Sequence, residues 1–320
     1  MNRRPHDRFV MVTEVGPRDG LQNQPINIPT PAKVALVDGL GEAGFQQIEC
    51  SSFVHPKRVP AMADAEAVFR GIARRQGVRY VALVPNMRGY ARARAVDCDA
   101  VAVFTAASEA FTRRNINMTV EGSLERFEPV AQAAARDGVA LRGYVSTVFS
   151  CPFAGRIEPE AVLPVVERLI DMGCYEVSLG DTIGVGRPDD TRRLLDLILP
   201  RFGVDRIAMH FHDTWGMGTA NLLASLDFGV WKFDSSAGGL GGCPYAPDAT
   251  GNVATEDVLY LLDGLGWQTG VDLDRVVDAV GRLSEHLDYR LPGRVYNATR
   301  ANRRRQVLNA ASSDREESNP

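Results

Sequence analysis

The chain has 320 residues, 45% of them hydrophobic and 24% charged, with a net charge of −4 and a pI near 5.8. That hydrophobic fraction supplies a full globular core, and the acidic balance argues against a nucleic-acid binder. No run of 18 or more apolar residues occurs, so no membrane span is expected.

The opening "MNRRPHDRFVMVTEV" carries basic residues but no apolar signal-peptide core. Cys50, Cys98, Cys151, Cys174 and Cys243 are odd in number and scattered, without a C-x-x-C pair. Reduced thiols in a cytoplasmic protein are the expectation. Runs rich in Val, Ile, Tyr or Phe predict strands at 10–15, 46–50, 80–85, 100–106, 141–147, 175–181, 207–213 and 230–236. Helical patterns lie between them. The first, at 30–44, has Thr30 as its N-cap, Pro31 at the first helical position and a terminal glycine. The next, at 123–138, starts on Ser123 and ends at Gly138. Helices at 159–173 and 189–203 also close on glycine, with Pro164 and Pro200 interrupting their patterns. One more follows the seventh strand at 219–229, and two, at 255–266 and 272–288, form a cap after the eighth. Residues 1–300 read as a single domain and 301–320 as a polar tail expected to fray.

Strands that alternate with helices pair in parallel, because a helical crossover returns the chain in the same direction. Eight of them predict an α/β fold, a closed (β/α)8 TIM barrel with extra C-terminal helices packed on it. The turn after the first strand, "GPRDGLQ", is not the G-x-G-x-x-G of a dinucleotide-binding sheet. Chemistry in a barrel sits at the C-terminal ends of the strands. Arg18, Asp19, Glu49, Asp181, His210 and His212 fall there, and the eighth strand runs into "SSAGGLGGCPYAPDATGN". Alternation puts His210 and His212 on one face, as two ligands of one ion or as a hydrogen-bonded core pair. Asp19, His210, His212 and Asn252 together offer a carboxylate, two imidazoles and an amide oxygen. That set suits a divalent cation such as Mg²⁺ or Mn²⁺.

"VTEVGPRDGLQNQ", "IECSSFV", "RGYVSTVFSCPFAGRI", "GCYEVSLGDTIGVG", "HFHDTWGMGTAN" and "GGLGGCPYAPDATGNVATEDVLYLLDGLG" together resemble the 3-hydroxy-3-methylglutaryl-CoA (HMG-CoA) lyase family, from about residue 11 to 270. The RDG-x-Q and H-x-H pieces are shared with a wider metal-dependent superfamily, and the glycine-cysteine loop is specific to the lyases. The resemblance implies that Asp19, His210, His212 and Asn252 hold the cation. It implies that Arg18 faces the thioester oxygen, with Gln22 of the same motif beside the substrate. Cys243 would move a proton near the cleaved bond, and Glu49 and Asp181 would support the metal shell and Arg18. The implied reaction is retro-Claisen cleavage of an acyl-CoA by a homo-oligomer, a dimer, and the general base is open between Asp19 and His210. Well-known members carry a lysine where this chain has Gln24-Pro25, which leaves the acyl preference open. Lyases for longer 3-hydroxy-3-alkylglutaryl-CoA esters share these motifs. A Claisen-type synthase would share the site but usually adds a large regulatory domain. A Schiff-base aldolase needs a strand lysine, and of Lys33, Lys57 and Lys232 only Lys232 lies in one.

Overall fold

The chain's apolar runs become the staves of a barrel. In the computed structural model, which describes residues 6–24, 26–242 and 251–317, with side chains to 310, strands β1 (Met11–Glu14), β2 (Gln47–Ser52), β3 (Arg79–Leu83), β4 (Ala100–Ala106) and β5 (Ala140–Ser146) pair side by side in parallel. A short antiparallel hairpin, β6 (Ser150–Cys151) and β7 (Gly155–Arg156), follows. Strands β8 (Glu176–Asp181), β9 (Ile207–Phe211) and β10 (Lys232–Ser235) complete the ring, and β10 pairs with β1 to close it. All eight expected barrel strands are present, with ends shifted by a few residues.

Helices α1 (Thr30–Ala43), α2 (Ala65–Gly71), α3 (Met87–Arg94), α4 (Glu109–Ile116), α5 (Val120–Asp137), α6 (Pro159–Asp171), α7 (Pro188–Phe202) and α8 (Gly218–Asp227) run between the strands. After β10 come α9 (Thr255–Gly264), α10 (Leu273–Ser284) and α11 (Arg294–Glu317). Three local expectations are corrected. Thr30 is not an N-cap: Pro29 precedes the helix, and the Thr30 hydroxyl donates to Asp64 at 2.7 Å. The helix expected from Ser123 begins at Val120, where Thr119 Oγ1 accepts the Gly122 amide at 2.9 Å. Pro164 and Pro200 lie inside α6 and α7, each deleting a backbone bond without ending the helix. The last helix, α11, runs across residue 300, and its Arg303 donates to Asp278 of α10 at 2.6 Å.

Alternation along the strands sorts the core. On β9, Ile207, Met209 and Phe211 join the large apolar layer beneath the helices, while Ala208 and His210 face the lumen. On β4, Val101 and Val103 point outward, and Ala100 and Ala102 pack with Val81, Leu83 and Tyr144. Phe9, Met11 and Trp231 cluster at the N-terminal ends of β1 and β10. The other half of the lumen is charged. Arg142 donates to Glu176 at 2.8 Å and to Asp234 at 2.6 Å, all three buried. Lys232 joins this lattice through Glu176 at 2.9 Å and the Asp205 carbonyl at 2.6 Å. It is the first residue of β10, at the opposite end from the barrel mouth, so the Schiff-base reading falls.

The C-terminal helices close around α1 and the base of the glycine loop. A Cβ on Gly39 of α1 would come within 2.9 Å of the Ala279 Cβ on α10, so glycine lets the two helices touch. The Gly293 amide donates to the Gly238 carbonyl at 3.0 Å, and Arg294 reaches Asp213 at 2.7 Å. Among the described residues no helix is long and apolar enough to cross a membrane.

Candidate metal centre and active site

The segment "GPRDG" leaves β1 as one turn of π-helix, Gly16–Gly20, in which the Gly20 amide donates to the Val15 carbonyl at 3.3 Å. π turns recur at functional sites. This one places Arg18 and Asp19 at the barrel mouth. Arg18 donates through Nη1 to Asp19 Oδ1 at 2.6 Å and through Nε to Glu49 of β2. The Tyr144 hydroxyl donates to the second oxygen of Glu49, and the Arg18 guanidinium lies 5.6 Å from the centre of the Tyr144 ring.

Opposite, β9 delivers the two histidines. One ligand atom from each of Asp19, His210 and His212 lies within 4.8 Å of the others. His210 Nδ1 is 3.2 Å from Asp234 Oδ2, which fixes the tautomer with the proton on Nδ1 and turns Nε2 toward Asp19, 3.9 Å away. Asp234 is held in turn by Arg142 and by the Ser178 hydroxyl at 2.7 Å. His212 Nδ1 is buried without a partner among the described residues, and so is Asn252 Oδ1. Asn252 Nδ2 donates to Asp19 Oδ2 at 2.9 Å and to the Leu240 carbonyl at 3.1 Å.

Protonation states favour cation binding. Burial works against the Asp19 charge, but Arg18 and the two imidazoles outweigh it and hold the carboxyl at about 2. Burial, reinforced by His210, pushes His212 down to about 4, so its imidazole is neutral at neutral pH. A carboxylate, two imidazoles and an orphaned amide oxygen make a mixed N/O donor set. Two buried lone pairs without partners are what a bound cation would satisfy. The residues present fit a divalent ion.

The remaining expected residues take different places. Asp181 ends β8, and its carboxylate accepts the Gly186 and Val185 amides at 2.8 and 3.2 Å, fixing the next loop rather than bonding Arg18. Burial pushes its carboxyl up to about 6. Gln22 follows the π turn, its side-chain oxygen buried and unpartnered among the described residues. Cys243 and Pro25 lie outside the described residues. The two ends of the segment that carries Cys243 meet at the site: a Cβ on Gly251 would fall 2.5 Å from the Gly241 carbonyl carbon, and both glycines have positive φ. The Gly242 carbonyl accepts from Asn23 at 3.1 Å. The other four cysteines are buried, and burial pushes Cys98 and Cys174 up to about 12.

Tyr144, Arg142, Asp234 and Ser178 were missed by sequence reasoning. Arg142 and Tyr144 on β5, Ser178 on β8 and Asp234 on β10 sit at alternate, lumen-facing positions, a signal that a solvated strand face would also show. Glu14 and Glu256, buried outside the lumen, gave no such signal.

A family model described as HMGL-like matches residues 10–281. The chain belongs to the HMGL-like family. It is 53% identical to a hydroxymethylglutaryl-CoA lyase of Pseudomonas mevalonii, over 87% of this chain and 92% of that protein. It is 54% identical to a 3-hydroxy-3-isohexenylglutaryl-CoA/hydroxy-methylglutaryl-CoA lyase of Pseudomonas aeruginosa, over 86% of this chain and 91% of the relative. A crystal structure of hydroxymethylglutaryl-CoA lyase from Pseudomonas aeruginosa superposes with a TM-score of 0.90 at 52% identity, covering 92% of this chain and 98% of the other. Membership in the HMGL-like family spans the whole barrel and so includes every strand that delivers a site residue.

Proposed function

We propose that this chain cleaves 3-hydroxy-3-methylglutaryl-CoA to acetyl-CoA and acetoacetate, with Mg²⁺ or Mn²⁺ held by Asp19, His210, His212 and Asn252. The observation that carries the reading is the meeting of Asp19, His210 and His212 with Arg18 at the barrel mouth of an HMGL-like chain. Asp19, His210, His212 and Asn252 would hold the cation, which would supply Lewis-acid assistance by lowering the pKa of the substrate's C3 hydroxyl. The chain's own residues do the rest. Arg18, anchored by Glu49 and Asp19, faces the thioester oxygen, where charge develops as the C2–C3 bond breaks. Gln22 lines the substrate beside it. Asp19 and His210 are the two candidates to take the hydroxyl proton. His210 Nδ1 is committed to Asp234, which leaves Nε2 for that role or for the cation. Cys243 returns a proton to the enolate carbon.

A second reading differs in the acyl group: a longer 3-hydroxy-3-alkylglutaryl-CoA, favoured by the 54% identity to the dual-specificity Pseudomonas aeruginosa lyase. We propose that it works in the cytoplasm as a homodimer, which sedimentation would check. The deciding experiment incubates the purified protein with 3-hydroxy-3-methylglutaryl-CoA or its isohexenyl analogue, with Mg²⁺ or Mn²⁺, and measures acetyl-CoA. Release from the methyl substrate supports the first reading, and preference for the isohexenyl ester supports the second. No acetyl-CoA from either overturns both.

A further inference from the structure

Glu14, the last residue of β1, lies on the outward face with Val12 and so points away from the lumen where substrate chemistry would occur. It is wholly buried, and its carboxylate binds three separate segments. Oε1 accepts the Gly16 amide at 2.7 Å, at the start of the π turn that carries Arg18 and Asp19. The same oxygen accepts the Ala237 amide at 2.9 Å, where the glycine loop leading to Cys243 departs from β10. Oε2 accepts the Thr255 hydroxyl at 2.6 Å, three residues after Asn252. Gly16 is packed hard into this junction: a Cβ there would lie 2.7 Å from Glu14 Oε1 and 3.2 Å from the Ala237 nitrogen. Of the three tethered segments, one carries Arg18 and Asp19, one carries Asn252, and the one at Ala237 begins the loop that leads to Cys243. Asn252 crosses the same junction from the mouth side, donating to Asp19 and to the Leu240 carbonyl, and Glu14 ties it from the outward side.

We infer that Glu14 is a positioning residue for the lyase reaction, setting the relative placement of the Arg18–Asp19 turn, the Asn252 segment and the base of the Cys243 loop. The inference rests on the function proposed above. It needs the length and acceptor geometry of the side chain rather than its charge. A glutamine can still accept both amides through its oxygen and donate to Thr255, whose hydroxyl then turns toward Ser235, 2.7 Å away. An aspartate is one methylene too short to reach all three.

The test compares E14D, E14Q and T255V in the full-length enzyme, by steady-state kinetics and by site-resolved amide exchange. E14D should lower kcat by about 100-fold, as expected for a displacement near 1 Å at the reacting centre, with KM little changed. E14Q should recover most of that loss, and T255V should fall between them. In E14D the Gly16 and Ala237 amides should exchange faster while the β4–β5 ladder keeps its protection. Wild-type kcat in E14D overturns the inference. So does E14Q as impaired as E14D, which would mean the charge itself is used, or exchange that rises equally through the β4–β5 ladder, which would mean general destabilisation. Should E14D not fold, T255V decides, and wild-type kcat with unchanged exchange at Gly16 and Ala237 overturns the role. The exchange measurement uses no substrate, so failure of the proposed reaction and failure of the Glu14 role remain separate results.

Discussion

Arg18 reaches the mouth with two nitrogens engaged, Nε by Glu49 and Nη1 by Asp19, so its guanidinium plane is fixed before substrate arrives. Preorganised charge of this kind acts on the transition state, because the thioester oxygen becomes negative only as the bond breaks. Arg18→Gln should therefore lower kcat by roughly 100- to 1,000-fold with a smaller rise in KM, and a variant changed only in KM would reduce Arg18 to a substrate anchor. Glu256 allows a pH prediction. Burial pushes its carboxyl from 4.5 up to about 8, against the opposing pull of backbone amides that include Gly238. Between those values the folded chain keeps a proton that the unfolded chain releases. Stability should fall as pH rises through that window and level off above about 8. Glu14, pushed up to about 7 by burial, adds to the same slope. Glu256→Gln should make the slope shallower in urea melts across the window, and an unchanged slope would place the proton elsewhere. At this scale the sequence was readable where a residue type is rare. Two histidines in an apolar strand, and an Arg-Asp pair at a strand end, announce chemistry. Tyr144 and Asp234 did not, because polar residues at alternate positions of a strand fit a solvated face as well as a lumen.

The π turn and the glycine pair are the elements that turn strand ends into a site. Gly241 and Gly251 touch, with φ of 147° and 84°. A side chain at Gly251 is strained by conformation alone, at about 1–2 kcal/mol, before its contact with the Gly241 backbone is counted. Gly251→Ala should shift the neighbouring Asn252 and weaken Mn²⁺ binding in calorimetric titrations, more than it lowers the melting temperature. Unchanged affinity would separate this glycine pair from the metal centre. Element by element, long amphipathic helices such as α5, α6 and α7 were legible, since their periodicity survives even an internal proline. The seven- and eight-residue helices α2, α3 and α4 were not. Two turns of Arg-rich sequence carry too few apolar repeats, although Asn86 and Ser108, which cap α3 and α4, were the available clues. The glycine-cysteine motif drew attention to the loop, but its pairing with Gly251 depends on contacts across the chain that no local pattern encodes.

For the whole molecule, eight βα units specified a closed parallel ring, because crossovers admit few other topologies. The core is independent of the ion. Chelation with EDTA should therefore abolish turnover while far-UV circular dichroism is retained. The unfolding free energy should drop only by the ligand-linkage amount, about 3 kcal/mol for an ion present at 100 times its Kd. Collapse of the fold on chelation would make the ion structural. The charged lumen was less legible, since its partners sit on strands far apart in sequence. From Arg18 through Glu49, Tyr144, Arg142 and Asp234 to His210, six side chains hand hydrogen bonds to one another across the barrel. That continuity has a hereditary consequence. A change at any interior link leaves a buried polar or charged group without its partner on each side, so descendants of this barrel can explore its outward faces one residue at a time but can revise its inner circuit only in blocks.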